Sequence, residues 1–285
     1  MGVERVESLD DPRIALYRNL KDRELRERHE AFIVEGRGSL EMLLDRSPFE
    51  PESLLLSERA CRSLADRISK LPDPLPVYVA SRALMAGIVG FDMYRGVLAL
   101  CRRDREPDFD ETFDPGGFTA PARAPVIALE ALANHDNVGA IFRNAQAFGV
   151  PSILLCPRTC DPLYRKAIRT SMGATLCVPF VRSDAWPAPL ARLRESGFTV
   201  AALHPDARAV PIAASGDHIG SGPLALVVGT EGPGISDAAL AECDLSIRIP
   251  MAEGIDSINV ATACAIALHQ FRERTASLIA NATSV

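Results

Sequence analysis

From residue 126 onward the chain alternates short apolar runs with amphipathic stretches. The runs 126–129, 153–156, 198–203, 224–228 and 247–249 read as strands and, apart from Thr199 and Arg248, are apolar throughout, the pattern of strands covered on both faces. Between most of them lie stretches with helical spacing, notably 137–148, 187–195 and 257–274. In the last of these, Ala261, Cys264, Leu268 and Phe271 form a stripe along one helix face. Strand–helix alternation of this kind predicts an α/β domain with a mostly parallel sheet and helices on both faces. Ligands in such sheets bind outside the carboxyl ends of the strands, so the loops after the strands are the places to search.

The first hundred residues are more mixed. Residues 16–30 are rich in charge, with Arg18–Asp22 and Arg23–Glu27 at i,i+4 spacing, which predicts a solvated helix. Phe32-Ile33-Val34 and residues 97–100 read as buried strands, and 40–44 as a short helix. This is a small α/β domain without a catalytic constellation. The break between the halves is the stretch 102–124, which holds Asp104, Glu106, Asp108, Asp110, Glu111 and Asp114, then Pro115-Gly116-Gly117 and Pro121. Acidic and without periodicity, it reads as a linker. The expected division is 1–103, a linker at 104–124, and 125–285. No repeat of solenoid length is present.

Composition narrows the classes. Hydrophobic residues make up 47% of the 285 and charged residues 24%, enough for a sizeable core and against a disordered chain. No apolar run approaches the roughly 18 residues of a membrane-spanning helix. The opening residues carry Glu4 and Glu7 and lead into no apolar stretch, and Val6 stands where a myristoylation signal wants Ser or Thr. A cytoplasmic protein with no membrane partner is the expectation. The seven cysteines, among them Cys264 between two alanines, read mostly as reduced core thiols. Cys156 and Cys160 are four apart with no second pair or nearby His, so no metal is expected. The net charge of −6 is a weak argument against nucleic acid, because phosphate binding needs only a local basic patch. Only three of the 31 basic residues are lysine.

Three loops carry candidate chemistry. In the first, residues 134–145, Val138, Ile141, Phe142, Ala145 and Phe148 share a helix face while Arg143 points away, one turn after Gly139. Asp136 or Asn137 is placed to cap this helix. Alone, the stretch reads as a capped helix with a solvated arginine. The second is a buried strand entering Gly229-Thr230-Glu231-Gly232-Pro233-Gly234, where glycines let a ligand approach the backbone. Its order is neither the dinucleotide GxGxxG nor a P-loop. The competing reading is a tight strand-to-helix turn. In the third, a strand stops at Pro250 and a long last helix follows, with Ser257 or Asp256 placed to cap it. Asn259 in the first turn is unexpected, since Asn favours caps over helix interiors.

Taken in order, the three loops resemble the signatures of the SpoU/TrmH family of RNA 2′-O-ribose methyltransferases, of the SPOUT superfamily. They are Asn137-x-Gly139-x-x-x-Arg143, then Gly229-Thr230-Glu231-Gly232-Pro233-Gly234, then Ile249-Pro250-Met251 with Ser257-Ile258-Asn259-Val260. Arg169-Thr170-Ser171-Met172-Gly173-Ala174 is similar to a further, weaker family segment. Phe32-Ile33-Val34-Glu35-Gly36 and Arg95-Gly96-Val97 resemble the family's L30e-like RNA-binding domain less specifically. His135 stands where many members have Pro, and Ile258 replaces Leu.

The resemblance implies a trefoil-knotted C-terminal methyltransferase domain, a smaller L30e-like N-terminal α/β domain that binds the RNA, a homodimer formed through the C-terminal domain, and S-adenosylmethionine as cofactor. General rules of chain connection would argue against a knot. By motif position, the backbone of Gly229, Ile249, Met251 and Ile258 is expected to cradle the cofactor. Arg143 matches the family's catalytic arginine. A guanidinium stays protonated under ordinary conditions, so a phosphate clamp that also stabilises alkoxide charge is the safer role. Asn137 and Asn259 are expected to orient the arginine or the ribose. Ser257 and Glu231 complete the hydrogen-bond set, with Glu231 placed near Arg143 by complementary charge. His135 ranks second as a base. Tyr94, Arg95, Arg18 and Arg23 are candidates for RNA contact, although each alone reads more readily as a solvated surface residue. The substrate implied by the resemblance is structured RNA, tRNA or rRNA. Two alternatives stand beside this reading: an RNA-binding protein without turnover, and a nicotinamide-dependent oxidoreductase. The second would require an early GxGxxG with an acid about 20 residues on, which is not evident.

Overall fold

The structure is a computed structural model that describes residues 3–18, 21–71, 75–89, 96–103, 108–113, 125–220 and 222–282. Two compact units divide the chain: Met1–Arg105 with Pro162–Cys177, and Glu106–Asp161 with Val178–Val285. Tyr94 and part of the 102–124 stretch lie outside the described residues, as does Arg95.

The first unit is built on a mixed five-stranded sheet in the order β1-β4-β3-β5-β2. Its strands are β1 (Val3–Arg5), β2 (Ala31–Glu35), β3 (Pro51–Ser57), β4 (Val77–Ala80) and β5 (Val97–Arg102). β5 runs antiparallel to both β2 and β3, and the other pairs are parallel. The helix expected over 16–30 is broken: a 3-10 turn covers Pro12–Tyr17 and an α-helix covers Asp22–His29. The reason is Tyr17, which is buried with its hydroxyl bonded to Ser53 and accepting from the Leu100 N–H at 3.2 Å. Anchoring it turns the chain out of register with the following helix. Arg18 therefore pairs with Asp10 and not with Asp22, whereas the Arg23–Glu27 pair forms at 2.8 Å.

Asp22 instead accepts from Arg165 Nε at 2.8 Å. This ion pair helps explain why Pro162–Cys177 belongs to the first unit. The helix Arg165–Thr170 packs on β2, and Gly173 sits so close to Met42 that a Cβ there would meet the Met42 Cβ at 2.8 Å.

The second unit holds a seven-stranded sheet in the order β10-β12-β9-β11-β6-β7-β8. The strands are β6 (Val126–Glu130), β7 (Ile153–Leu155), β8 (Phe180–Arg182), β9 (Thr199–Leu203), β10 (Val210–Pro211), β11 (Leu224–Gly229) and β12 (Leu245–Arg248). Every neighbouring pair is parallel. β6 and β11 are buried along their whole length, as apolar runs without alternation predict. One face of the sheet gives Val126, Ala128, Val200, Ala202, Ala225 and Val227 to a core shared with Leu190 and Leu193. Phe113 joins that core, because residues 109–113 of the expected linker form a helix. The helices His135–Phe148 and Val260–Ala282 pack on each other, with Asn144 Nδ2 bonded to the Ala261 carbonyl at 3.0 Å. Three of the seven cysteines are buried and four are half-buried, fewer buried than the sequence suggested. No helix of the described residues is long and apolar enough to cross a membrane.

Candidate active site

The carboxyl ends of β9, β11 and β12 open into a cavity of about 170 Å³. Val228 and Gly229 end β11 at its floor, Thr230, Glu231 and Gly232 form one wall, and Ile249, Met251, Ser257 and Ile258 form another. All four residues expected at the cofactor (Gly229, Ile249, Met251, Ile258) line it. Glu231 and Ser257 also line it, while Asn137, Arg143 and Asn259 do not.

The glycine-rich wall is shaped by its own backbone. Thr230 and Gly234 form an isolated bridge, and a Cβ on Gly229 would lie 2.4–2.5 Å from backbone atoms of Gly234 and Ile235. The missing side chain at Gly229 is therefore occupied by the returning loop, not left open for a ligand. Gly232 and Gly234 have φ of +84° and +75°, a region that favours glycine.

Asn137, Glu231 and Asn259 meet, one from each loop. Asn259 Nδ2 donates to Asn137 Oδ1 at 2.9 Å and to Glu231 Oε1 at 3.3 Å, and Asn137 Nδ2 donates to the same Glu231 oxygen at 2.9 Å. Asn137 is buried, whereas Glu231 and Asn259 are exposed. Asn259 is the cap of the last helix: its Oδ1 accepts from the N–H groups of Ala261 and Thr262 at 3.0 and 3.2 Å. The helix therefore starts at Val260, later than expected, and neither Ser257 nor Asp256 caps it. Likewise Asn134 caps the helix His135–Phe148 by accepting from the Asp136 N–H at 2.9 Å, so neither Asp136 nor Asn137 does. Asn137 is thereby freed to face the other two loops.

Arg143 is exposed and makes no hydrogen bond or ion pair among the described residues. No ion pair joins it to Glu231, which accepts from the two asparagines instead. Nor do those asparagines orient Arg143, since their amides serve each other, Glu231 and the helix cap. His135 is half-buried at the first helical position and does not line the cavity.

Sequence reasoning missed His204, Pro205 and Arg248 at the cavity. His204 follows β9 directly, so the strand-end rule alone would have found it. Its N–H donates to the Ile247 carbonyl at 2.9 Å, and its Nδ1 accepts from the Asp206 N–H at 3.3 Å. Glu130 at the end of β6 was missed as well. It is 2% exposed and accepts from Trp186 Nε1, the Ser236 N–H and the Ser236 hydroxyl.

A parallel sheet with a cavity at its strand ends, walled by a glycine turn and a helix-start loop, defines an α/β protein with a crevice where such sheets bind ligands. The chain belongs to the SpoU rRNA methylase family, whose model matches residues 124–269. A chain of Mycobacterium tuberculosis named as a tRNA/rRNA methyltransferase is 39% identical over 97% of this chain and 93% of its own length. A 23S rRNA guanosine-2′-O-methyltransferase of Bacillus subtilis is 26% identical over 95% of this chain and 100% of its own. The AdoMet-bound rRNA methyltransferase of Sinorhizobium meliloti superposes with a TM-score of 0.78 at 23% identity, covering 95% of this chain and 98% of that one, and so shares the fold.

Proposed function

We propose that this chain transfers a methyl group from S-adenosylmethionine to a ribose 2′-hydroxyl of tRNA or rRNA, with the cavity at the ends of β9, β11 and β12 as the cofactor site. The observation that carries this reading is the meeting of Asn137, Glu231 and Asn259, one residue from each motif, beside a cavity lined by Gly229, Ile249, Met251 and Ile258. The lining suits the cofactor. Val228, Ile235 and Ile258 offer apolar surface for a purine, and Glu231 offers a carboxylate to a cationic centre. S-adenosylmethionine supplies an electrophilic methyl group when bound.

The chain's own residues do the rest. A ribose hydroxyl is a poor nucleophile, so positioning and charge stabilisation must provide most of the rate. Arg143, exposed and without a partner among the described residues, is available to clamp the adjoining phosphate and stabilise negative charge growing on the 2′-oxygen. A basic role would require a neighbour that strips its proton, and no described residue is bonded to it. Asn137 and Asn259 hold the three loops at fixed separation, and Ser257 places a hydroxyl at the cavity wall.

Further features of this reading are a trefoil knot in the C-terminal domain, a first unit that acts as an L30e-like RNA-binding domain, a homodimer formed through the C-terminal domain, and a cytoplasmic location.

The test is transfer of label from radioactive S-adenosylmethionine to total RNA lacking the modification, followed by nuclease mapping. Label on a ribose 2′-oxygen supports the proposal, and the mapped position names the RNA. Cofactor binding without transfer to tRNA or rRNA would favour an RNA-binding protein without turnover. Failure to bind the cofactor would overturn the proposal.

A further inference from the structure

Glu130 touches neither the cavity nor the three motif loops' shared hydrogen bonds, yet it holds both ends of the glycine-rich wall. At one end, Glu130 stands opposite Gly229 in the β6–β11 register. At the other, its carboxylate takes the Ser236 N–H at 3.0 Å on Oε2 and the Ser236 hydroxyl at 2.7 Å on Oε1. The residues between, 230–235, contribute Thr230, Glu231, Gly232, Gly234 and Ile235 to the cavity. Their course is further fixed by the Gly234 N–H bond to the Thr230 carbonyl at 3.1 Å and by the close packing of Gly229 on Gly234. The loop therefore spans two points on one residue.

The remaining partner of Glu130 is Trp186, whose indole N–H reaches Oε1 at 3.0 Å. Three donors converge on one buried carboxylate. An acceptor-only group matches such a set, and an amide does not.

We propose that Glu130 is a positioning residue for the cofactor: its carboxylate sets where the Thr230–Gly232 wall and the Glu231 carboxylate stand in the cavity. This rests on the cofactor reading above. The role is distinct from the catalytic one, because Glu130 lies behind the wall and not among the residues that line the cavity.

The experiment is isothermal titration of the full chain with S-adenosylhomocysteine, which binds without reacting, alongside KM and kcat for S-adenosylmethionine and thermal unfolding. In Glu130→Gln, one orientation of the amide puts an NH2 against the Ser236 N–H and the other puts it against the indole N–H. Either leaves a donor facing a donor, so affinity should fall by about tenfold or more. KM for the cofactor should rise by a similar factor, with kcat at saturation changed much less. Trp186→Phe alone removes the donor that does not belong to the loop and should change affinity by less than about threefold.

The double variant E130Q/W186F decides the matter. Without the indole, the amide can turn its NH2 toward the Ser236 hydroxyl and its oxygen toward the Ser236 N–H. Affinity should recover toward that of Trp186→Phe. General loosening of the core would instead make the double variant worse than either single one, and that result overturns the proposal. Unchanged binding in Glu130→Gln overturns it too. If the wild-type chain fails to bind S-adenosylhomocysteine at all, the cofactor reading itself fails, a distinguishable outcome.

Discussion

Asn259 Nδ2 lies 2.9 Å from Asn137 Oδ1, joining two loops that stand 122 positions apart in the chain. The same Asn259 side chain caps the last helix through its oxygen. One amide therefore starts one element and ties it to another. Glu231 receives donors from both asparagines, so the site is a closed hydrogen-bond set and not three independent reactive groups.

Asn259→Asp tests that set through pH. An aspartate keeps the cap, since Asp and Asn serve equally there. Its other oxygen would replace a donor that now reaches Asn137 Oδ1 at 2.9 Å and Glu231 Oε1 at 3.3 Å. Two acceptors and a carboxylate would then face each other, which raises the folded-state pKa of the new acid pair. A raised folded pKa means stability that is present at low pH and lost as pH rises. The variant should therefore lose stability and cofactor affinity at pH 8 and regain much of both near pH 5. Denaturant unfolding and titration calorimetry at the two pH values check this. A pH-independent difference from the wild type would show that the network does not couple these loops.

Arg143→Ala separates chemistry from architecture. The side chain is exposed and pairs with none of the described residues, so its removal should leave cofactor affinity and melting temperature nearly unchanged. Loss of a clamp on phosphate and alkoxide charge should lower methyl transfer by about 100-fold or more. Arg143→Lys should recover only part of this, because a lysine cannot grip a phosphate bidentately. Transfer rates from labelled cofactor, measured beside thermal unfolding, give both quantities. Full activity in Arg143→Ala would remove this residue from the mechanism.

Tyr17 should govern the alkaline limit of the first unit. Its hydroxyl is buried against Ser53 and the Leu100 N–H, and burial pushes its ionisation well above the ordinary tyrosine range. Its folded pKa is raised, so its contribution is complete below the unfolded value near pH 10 and declines as pH rises beyond it. Absorbance titration should show one tyrosine ionising only with unfolding. Tyr17→Phe should destabilise by about 2 kcal/mol, because the Leu100 N–H loses its acceptor.

In the second unit the longer, almost wholly apolar strands were legible, and β6, β9 and β11 are offset from expectation by one residue at most, whereas β8 and β10, three and two residues long, were not read because neither forms such a run. The first unit was less so. β3 begins with Pro51-Glu52-Ser53 and β4 is short, so neither stands out as a clean run. Asn137, Glu231 and Asn259 were found through motif order, yet their mutual bonds were not foreseen. Charge complementarity placed Glu231 near Arg143, whereas the amide donors of the two asparagines claimed it. Capping was misassigned at both helices for one reason: several polar residues precede each start, and only the backbone course selects which one turns back. Glu130 was invisible because a single acid after an apolar run carries no spacing signal.

The two glycines of the wall should respond differently to the same substitution. In Gly229→Ala the new Cβ would meet backbone atoms of Gly234 and Ile235 at 2.4–2.5 Å. Backbone held by the Thr230–Gly234 bridge and by Ser236 on Glu130 has little room to shift. The expected cost is about 3 kcal/mol, with loss of cofactor binding because the displaced loop is the cavity wall. At Gly232 a Cβ meets nothing within 4 Å, but φ is +84°. Gly232→Ala should therefore cost only the strain of that conformation, about 1 kcal/mol, while cofactor binding weakens modestly. Calorimetric titration and denaturant unfolding of the two variants side by side measure the contrast. Equal effects would mean that backbone conformation, and not the close approach at Gly229, is what the glycine-rich sequence protects.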